Sequence, residues 1–175
     1  MSLEERVKEA IRDIPDYPKK GIIFKDITTL LNKGELFSEV IDYFAKKYPD
    51  VDYVCGIESR GFIFGAPIAV KNKKGFVPIR KKGKLPSTTV AEKYALEYGF
   101  DEIEMHIDAF EIKNPKVLLV DDLIATGGTA EAAVKLIKKL GGRVVAAVFL
   151  IELTFLDGAK KLKEMGVEVD SLVKY

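Results

Sequence analysis

The stretch from Val117 to Ala130, VLLVDDLIATGGTA, constrains the fold more than any other part of the sequence. Its first four residues are apolar without alternation, which is typical of a central parallel strand covered on both faces. Asp121 and Asp122 come next, at the expected carboxyl end of that strand, and a helical pattern follows Gly128. The sequence therefore predicts a strand, a turn of small residues and a helix in direct succession.

The turn between this strand and this helix is predicted to bind a phosphate. Its residues are small: Ala125, Thr126, Gly127, Gly128 and Thr129. The two glycines can adopt positive φ angles, and the N–H groups at the start of the next helix point away from it, toward an anion. No lysine follows the glycines as a P-loop requires, and the dinucleotide fingerprint GxGxxG is absent.

The two acids extend this prediction to a sugar phosphate. Asp121 and Asp122 can accept hydrogen bonds from two vicinal hydroxyls while the turn holds a phosphate at the other end of the sugar. That combination describes a ribose 5-phosphate. The order of apolar strand, acid pair and T-G-G-T loop resembles the motif with which type I phosphoribosyltransferases bind 5-phosphoribosyl 1-diphosphate (PRPP).

Two other interpretations account for part of the same stretch. The acid pair and glycines could form a solvated turn without a ligand. A response-regulator receiver domain also has paired acids after an apolar strand, and there they hold Mg²⁺. Only residues 123–175 follow the acids here, which is too little chain for the remaining strands and helices of a receiver domain.

Composition and charge describe a single globular domain over residues 1–175. The 47% hydrophobic content supports a substantial core, and 28 basic against 27 acidic residues give a net charge of +1. This balance favours neither nucleic acid nor a membrane surface as a partner, and no apolar run approaches the ~20 residues of a membrane-spanning helix. The single cysteine, Cys55, fits a reducing compartment, so a cytoplasmic protein is expected.

A second anion site is predicted upstream. The patterns of Tyr53–Ile57, residues 62–71 and residues 75–80 indicate a strand, a helix and a parallel strand. Ser59 and Arg60 then lie at a strand's carboxyl end, where they would face the same crevice as the acid pair. The run G-I-E-S-R-G-F-I-F-G resembles the diphosphate-binding loop of the adenine phosphoribosyltransferases, although an exposed arginine in a turn is usually only solvated.

Residues from about 80 to 107 are predicted to form a flexible hairpin arm over this crevice, which we call the hood. It opens with the dense basic run RKKGK, alternates like a strand before Gly99, and turns there toward a second strand. RKKGKLP and YALEYG resemble the family's closing loop. The resemblance implies that Arg80 and Lys84 bind diphosphate, that Arg80 reaches the site of a partner subunit in a homodimer, and that Glu97 is a general base.

The base-binding segment is predicted in the first part of the chain. Residues 21–26 are interpreted as a short apolar loop that presents Phe24 to a flat ligand. Residues 18–30 resemble the segment that surrounds the base in the adenine enzymes, which implies that Ile23, Phe24 and Lys25 contact adenine. Lys25 stands where many relatives have arginine. Leu153, after a buried strand, is expected to pack on the base opposite Phe24.

Together these motifs predict an α/β fold, a twisted, largely parallel sheet flanked by helices, of the type I phosphoribosyltransferase kind, with the antiparallel hood over the active site. The resemblance implies that adenine and PRPP give AMP and diphosphate in purine salvage. It implies Glu97, Asp121 and Asp122 as catalytic residues and Mg²⁺ carried by the diphosphate, with no metal bound directly by the protein. The alternatives are a non-catalytic PRPP-sensing regulator and a phosphoribosyltransferase for another purine.

Overall fold

The computed structural model describes residues 1–96 and 98–175. Its internal contacts divide the chain into two compact units, Met1–Phe44 and Ala45–Tyr175. Glu97, the predicted general base, lies outside the described residues.

The first unit contains a small antiparallel ribbon where the sequence predicted a loop. Its elements are α1 (Leu3–Ala10), β1 (Arg12–Pro15), β2 (Ile23–Asp26), α2 (Thr28–Leu31) and the start of α3 (Gly34–Lys47). The prediction of an apolar loop at residues 21–26 was wrong from Ile23 onward, because β2 pairs with β1 along its whole length. An ion pair between Arg12 and Asp26 joins the residues at one end of the ribbon.

The second unit is built on a twisted sheet whose strands are mostly parallel, as predicted. Its strands are β3 (Tyr53–Ile57), β4 (Gly75–Lys81), β5 (Thr89–Leu96), β6 (Gly99–His106), β7 (Lys116–Ile124), β8 (Arg143–Glu152) and β9 (Glu168–Lys174). Within the described residues the order is β5-β6-β4-β3-β7-β8-β9. The strands from β4 to β9 in this order are parallel, whereas β6 is antiparallel to β4 and to β5. The predicted hairpin thus forms one edge of the sheet.

The central strands of the sheet are buried on both faces, because helices cover the sheet. The helices are α4 (Arg60–Lys71), α5 (Gly128–Lys139) and α6 (Gly158–Glu164), with a 3₁₀ turn at Thr154–Leu156. Leu119 belongs to the apolar cluster that includes α5, and its neighbours Leu118 and Val120 are equally buried. Burial on both faces explains the apolar runs without alternation from which these strands were predicted. No helix in the described parts of the chain combines the length and the hydropathy that a membrane crossing would need.

The sequence predicted that strand β7 ends at the acid pair, but the strand continues to Ile124. Its pairing with β3 stops at Val120, but its pairing with β8 continues to Ile124. Asp121 and Asp122 therefore belong to a strand that is hydrogen-bonded on the β8 side and open on the β3 side. The open side is where the neighbouring strand β3 has ended, so the acids face the space beyond its carboxyl end.

Candidate active site

A cleft of about 400 Å³ lies beyond the carboxyl ends of β3 and β7 in the second unit. Among the described residues, its lining brings together the acid pair, the loop before α4, and side chains of β4 and of the hairpin. These residues are Ile57, Glu58, Ser59, Arg60, Lys81, Tyr94, Ile103, Asp121, Asp122 and Thr129. A hollow of about 190 Å³, lined by Asp121 and residues 123–130, shares Asp121 and Thr129 with the cleft, so the two spaces are adjacent.

The predicted phosphate loop forms this smaller hollow. Of its two glycines only Gly127 has a positive φ, 86°, while Gly128 is the first residue of α5. A Cβ atom at Gly127 would lie 2.7 Å from the carbonyl oxygen of Gly158, so the loop is in tight contact with the start of α6. At Gly128 the space around a Cβ position is open. The N–H groups of the first turn of α5 have no intrahelical partner and are available to an anion in this hollow.

The acid pair has two different environments. Asp122 is buried, and its Oδ2 accepts a hydrogen bond from Arg60 Nε at 2.5 Å. Asp121 accepts a hydrogen bond from the Asp122 N–H at 2.8 Å. Burial raises the pKa of Asp121 well above its ordinary value, and the charge of Asp122 raises it further, while Arg60 opposes the shift. The site therefore contains one carboxylate held by a guanidinium and one carboxyl group with an increased affinity for a proton.

The start of α4 lies directly against the acid pair because a glycine permits it. A Cβ atom at Gly61 would approach the backbone oxygen of Val120 to 2.8 Å, so only glycine fits without a shift. Ser59 is the N-cap residue of α4, and Arg60 begins the helix. Both line the cleft, as the sequence predicted, and the peptide bond between Glu58 and Ser59 is cis.

The basic run contributes a different lysine from the two residues that were predicted. In the described part of the chain, neither Arg80 nor Lys84 lines the cleft, whereas Lys81 does. Glu58 Oε1 accepts hydrogen bonds from Arg80 Nε at 3.2 Å and from the Lys81 N–H at 2.6 Å. Lys84 is exposed in the loop that follows β4.

The alternation of β4 could have identified Lys81. Val77 and Ile79 are buried in the cluster that includes α5, and Lys81 is the next residue of the same parity. Arg80 points to the opposite side of the strand. Tyr94 and Ile103, which also line the cleft, carried no comparable signal, because their placement depends on how the hairpin pairs with β4.

The residues predicted to bind the base are found in both units. In the first, Ile23 is 58% exposed and Phe24 makes an edge-to-face contact with Tyr17 at 5.2 Å between ring centres. Lys25 forms an ion pair of 2.7 Å with Asp13, the residue opposite it in the ribbon. In the second unit, the N–H of Leu153 donates to the Ile124 oxygen at 3.0 Å, just after β8.

The family comparison agrees with this fold and this cleft. A family model described as Phosphoribosyl transferase domain matches residues 26–172, which include the acid pair, the phosphate loop and the loop before α4. The chain thus has the sheet, the helices and the cleft of a phosphoribosyltransferase.

Individual relatives make the family assignment more specific. The adenine phosphoribosyltransferase of Sulfurimonas denitrificans is 60% identical over 171 residues, which cover 96% of this chain and 93% of the relative. The crystal structure of the Thermoanaerobacter pseudethanolicus enzyme of the same name superposes with a TM-score of 0.92 at 49% identity, covering 98% and 99% of the two chains. The Saccharomyces cerevisiae enzyme, solved with an imino-altritol bisphosphate and adenine, has a TM-score of 0.91 at 38% identity, with 97% and 98% covered. The chain belongs to the adenine phosphoribosyltransferase family.

Proposed function

We propose that this chain transfers the 5-phosphoribosyl group of PRPP to adenine, giving AMP and diphosphate in purine salvage. The observation that carries the proposal is that the phosphate hollow lies beside the cleft and shares Asp121 and Thr129 with it. A single ligand with a phosphate, a vicinal diol and a diphosphate needs such a sequence of subsites. A receiver domain or a solvated turn would not need the second subsite.

In this proposal the amides and hydroxyls of residues 125–129 bind the 5-phosphate, and the acid pair binds the ribose hydroxyls. Asp122 is held by Arg60 and can accept from one hydroxyl. The raised pKa of Asp121 allows its carboxyl group to share a proton with the second hydroxyl as donor or acceptor. Both acids and the loop are fixed by backbone structure, which holds the anomeric carbon in a defined place.

The diphosphate is proposed to bind near Ser59 and Arg60, with Arg80 and Lys84 joining from the hood. Among the described residues that line the cleft, three are carboxylates and only Arg60 and Lys81 are cationic. A polyanion therefore enters a cleft without excess positive charge, which supports Mg²⁺ as a companion of PRPP. No described group of three or more His, Cys, Asp or Glu side chains has the arrangement of a protein-only metal site. Mg²⁺ prefers oxygen ligands and phosphates, so the oxygens of the diphosphate would hold the ion, with no ligand contributed directly by the protein. The ion would supply charge neutralisation of the leaving diphosphate.

Catalysis then requires stabilisation of a positively charged sugar and removal of a proton from adenine. The residues of the cleft position the sugar and exclude water, and such preorganised groups are effective where charge develops in the transition state. Glu97 is proposed as the general base that accepts the proton at N7 of the N7–H tautomer. Ile23, Phe24, Lys25 and Leu153 are proposed as contacts of the base.

A coupled assay with PRPP and each of adenine, hypoxanthine, guanine and uracil tests the proposal. Adenine should be the best substrate. Hypoxanthine has an oxo group in place of the amino group, and a mismatch with buried donors and acceptors can cost ~10⁴-fold in kcat/KM. Comparable turnover of another purine would assign the chain to that base instead. Binding of PRPP without turnover of any base would support the non-catalytic regulator.

Two further expectations belong to the proposal. A homodimer is proposed in which Arg80 contacts the partner subunit's diphosphate site. Arg80 pairs with Glu58 of its own chain, so this contact would require an exchange of partners. Equilibrium sedimentation and mixed subunits carrying Arg80→Ala or Asp121→Asn check it.

A cytoplasmic location is proposed because the buried thiol of Cys55 is free and fits a reducing compartment.

A further inference from the structure

Three polar side chains form a connected group where the hairpin meets β4. Oδ2 of Asp101 accepts hydrogen bonds from Lys81 Nζ at 2.9 Å and from the Tyr94 hydroxyl at 3.2 Å. Oδ1 of Asp101 accepts the N–H of Glu102 at 2.8 Å. Both oxygens of this carboxylate are thus in use, and its two side-chain donors come from two different strands.

Strand register brings these three residues to one face of the sheet. Tyr94 lies directly opposite Asp101 in the hairpin, and Lys81 lies opposite Ile103, two residues further along the same strand. Residues two apart in a strand point the same way, and cross-strand neighbours share a face. The register of the backbone pairing therefore places the three side chains in contact.

The members of the group differ in their relation to the cleft. Lys81 and Tyr94 line it, and Asp101 is not among its described lining residues. Asp101 therefore contacts the lining groups from outside the cleft. The hydrogen bond from Lys81, followed by that from the Glu102 N–H, lowers the pKa of Asp101, and the same bond with Asp101 raises the pKa of Lys81. At neutral pH the pair is a carboxylate and an ammonium, and the ammonium retains further N–H donors for a ligand.

We propose that Asp101 is a positioning residue that holds the Lys81 ammonium toward the diphosphate of the substrate, while the Tyr94 O–H, which donates to the same carboxylate, helps to fix that carboxylate in place. The inference rests on the proposed function, because it takes a diphosphate as the ligand of the cleft. A lysine side chain has many rotamers, and fixing one of them before the ligand arrives removes part of the entropy cost of binding. Asp101 does so without occupying the space that the ligand requires.

Asp101→Asn tests this role, because it keeps the shape of the side chain and removes its charge. Titration calorimetry with magnesium diphosphate and with PRPP should show about three- to tenfold weaker binding, the effect of a partly exposed charge-assisted contact. KM for PRPP should rise by a similar factor while KM for adenine stays constant. Asp101→Glu, which keeps the charge, should recover part of the loss.

Glu102→Gln is the matched control, since it removes a charge from the adjacent residue of the same strand. Glu102 faces Lys82 at 3.8 Å and Lys93 at 3.9 Å, and none of the three lines the cleft in the described chain. The affinity of the Glu102→Gln variant for diphosphate should remain within about twofold of wild type. An equal loss in Glu102→Gln and Asp101→Asn would overturn the proposal, because the effect would then be one of general hairpin charge.

A variant cycle separates positioning from a direct or structural effect. In a Lys81→Met/Tyr94→Phe background, adding Asp101→Asn should change diphosphate affinity by less than about twofold, because the ammonium that Asp101 orients is gone. A full further loss in that background overturns the inference, as does unchanged affinity in Asp101→Asn alone. If the wild-type chain binds PRPP but Asp101→Asn binds it equally well, only this inference fails. If the wild-type chain binds neither ligand, the proposed function fails with it.

Discussion

Replacing Gly158 by alanine should disable the phosphate loop without changing any residue of that loop. Gly158 begins α6, and a Cβ atom there would lie 2.4 Å from the Ala125 oxygen, 2.8 Å from the Gly127 nitrogen and 2.9 Å from the Thr126 carbonyl carbon. All three are backbone atoms and cannot rotate away. Its φ is not positive, and alanine is the better helix former, so the new side chain meets only a steric obstacle.

The size of the effect follows from these distances. Carbon and oxygen atoms in contact are normally about 3.3 Å apart or more, so the loop and α6 must separate by roughly 1 Å. Overpacking of this kind costs about 1–3 kcal/mol of the free energy of unfolding. A displacement of 1 Å at a positioning group can cost ~10²-fold in rate, and we expect kcat/KM for PRPP to fall by about that factor.

Calorimetry measures the affinity for ribose 5-phosphate, which should fall. Urea unfolding measures the free energy of unfolding, and steady-state kinetics measure kcat/KM for PRPP. Gly34→Ala is the control, because a Cβ atom at Gly34 meets nothing within 4 Å, and it should change stability by less than about 0.5 kcal/mol. Wild-type affinity for ribose 5-phosphate in Gly158→Ala would refute the reasoning. It would mean that α6 moves and leaves the loop in place.

The remaining predictions concern the acid pair and the proton. Asp121→Asn should weaken PRPP binding and yet stabilise the fold at pH 8 by on the order of 1 kcal/mol, because it removes an incompletely compensated charge from a buried site. The pKa of Asp121 is raised in the folded state, so the wild-type chain loses stability as pH rises from about 4 through that raised pKa. The advantage of Asp121→Asn in urea unfolding should therefore shrink toward pH 4, and an advantage independent of pH would contradict the assignment. Glu97→Gln should lower kcat by ~10²–10⁴ with little change in PRPP affinity. If affinity and kcat fall together in that variant, Glu97 serves to order the hood and is not the base.

Local patterns predicted most of the elements around the cleft. The start of β7, the helical stripe of α5 and the strand–helix–strand unit from Tyr53 to Lys81 were located within about two residues of their observed bounds. Patterns of this kind arise from burial, and β3 and β7 are buried along most of their length. β2 was missed because a four-residue strand has too short a pattern, and its partner is a second short strand on the far side of a turn.

The details of the site depended on contacts between distant residues. The sequence predicted the hairpin, but the alignment of Lys81 with Ile103 required its register with β4, which no local pattern encodes. The sequence offers two glycines at the phosphate loop that can adopt a positive φ angle, and only Gly127 does so. The reason is that α5 already begins at Gly128, one residue earlier than the helical pattern suggested. The contact of this loop with Gly158 joins residues about thirty positions apart and had no sequence signal.

The continued pairing of β7 with β8 beyond the acids determines how the site can move. Asp121 lies opposite Phe149 and Leu123 opposite Ile151, and the two β8 residues are buried. To displace the acid pair the chain must break strand pairing in its core, an opening whose free energy approaches that of global unfolding. The face of the site that is proposed to bind the ribose is thus as stable as the fold itself. Any opening that admits a substrate must come from the other walls of the cleft, so in the proposed mode of binding the ribose hydroxyls would meet two acids that are already in place.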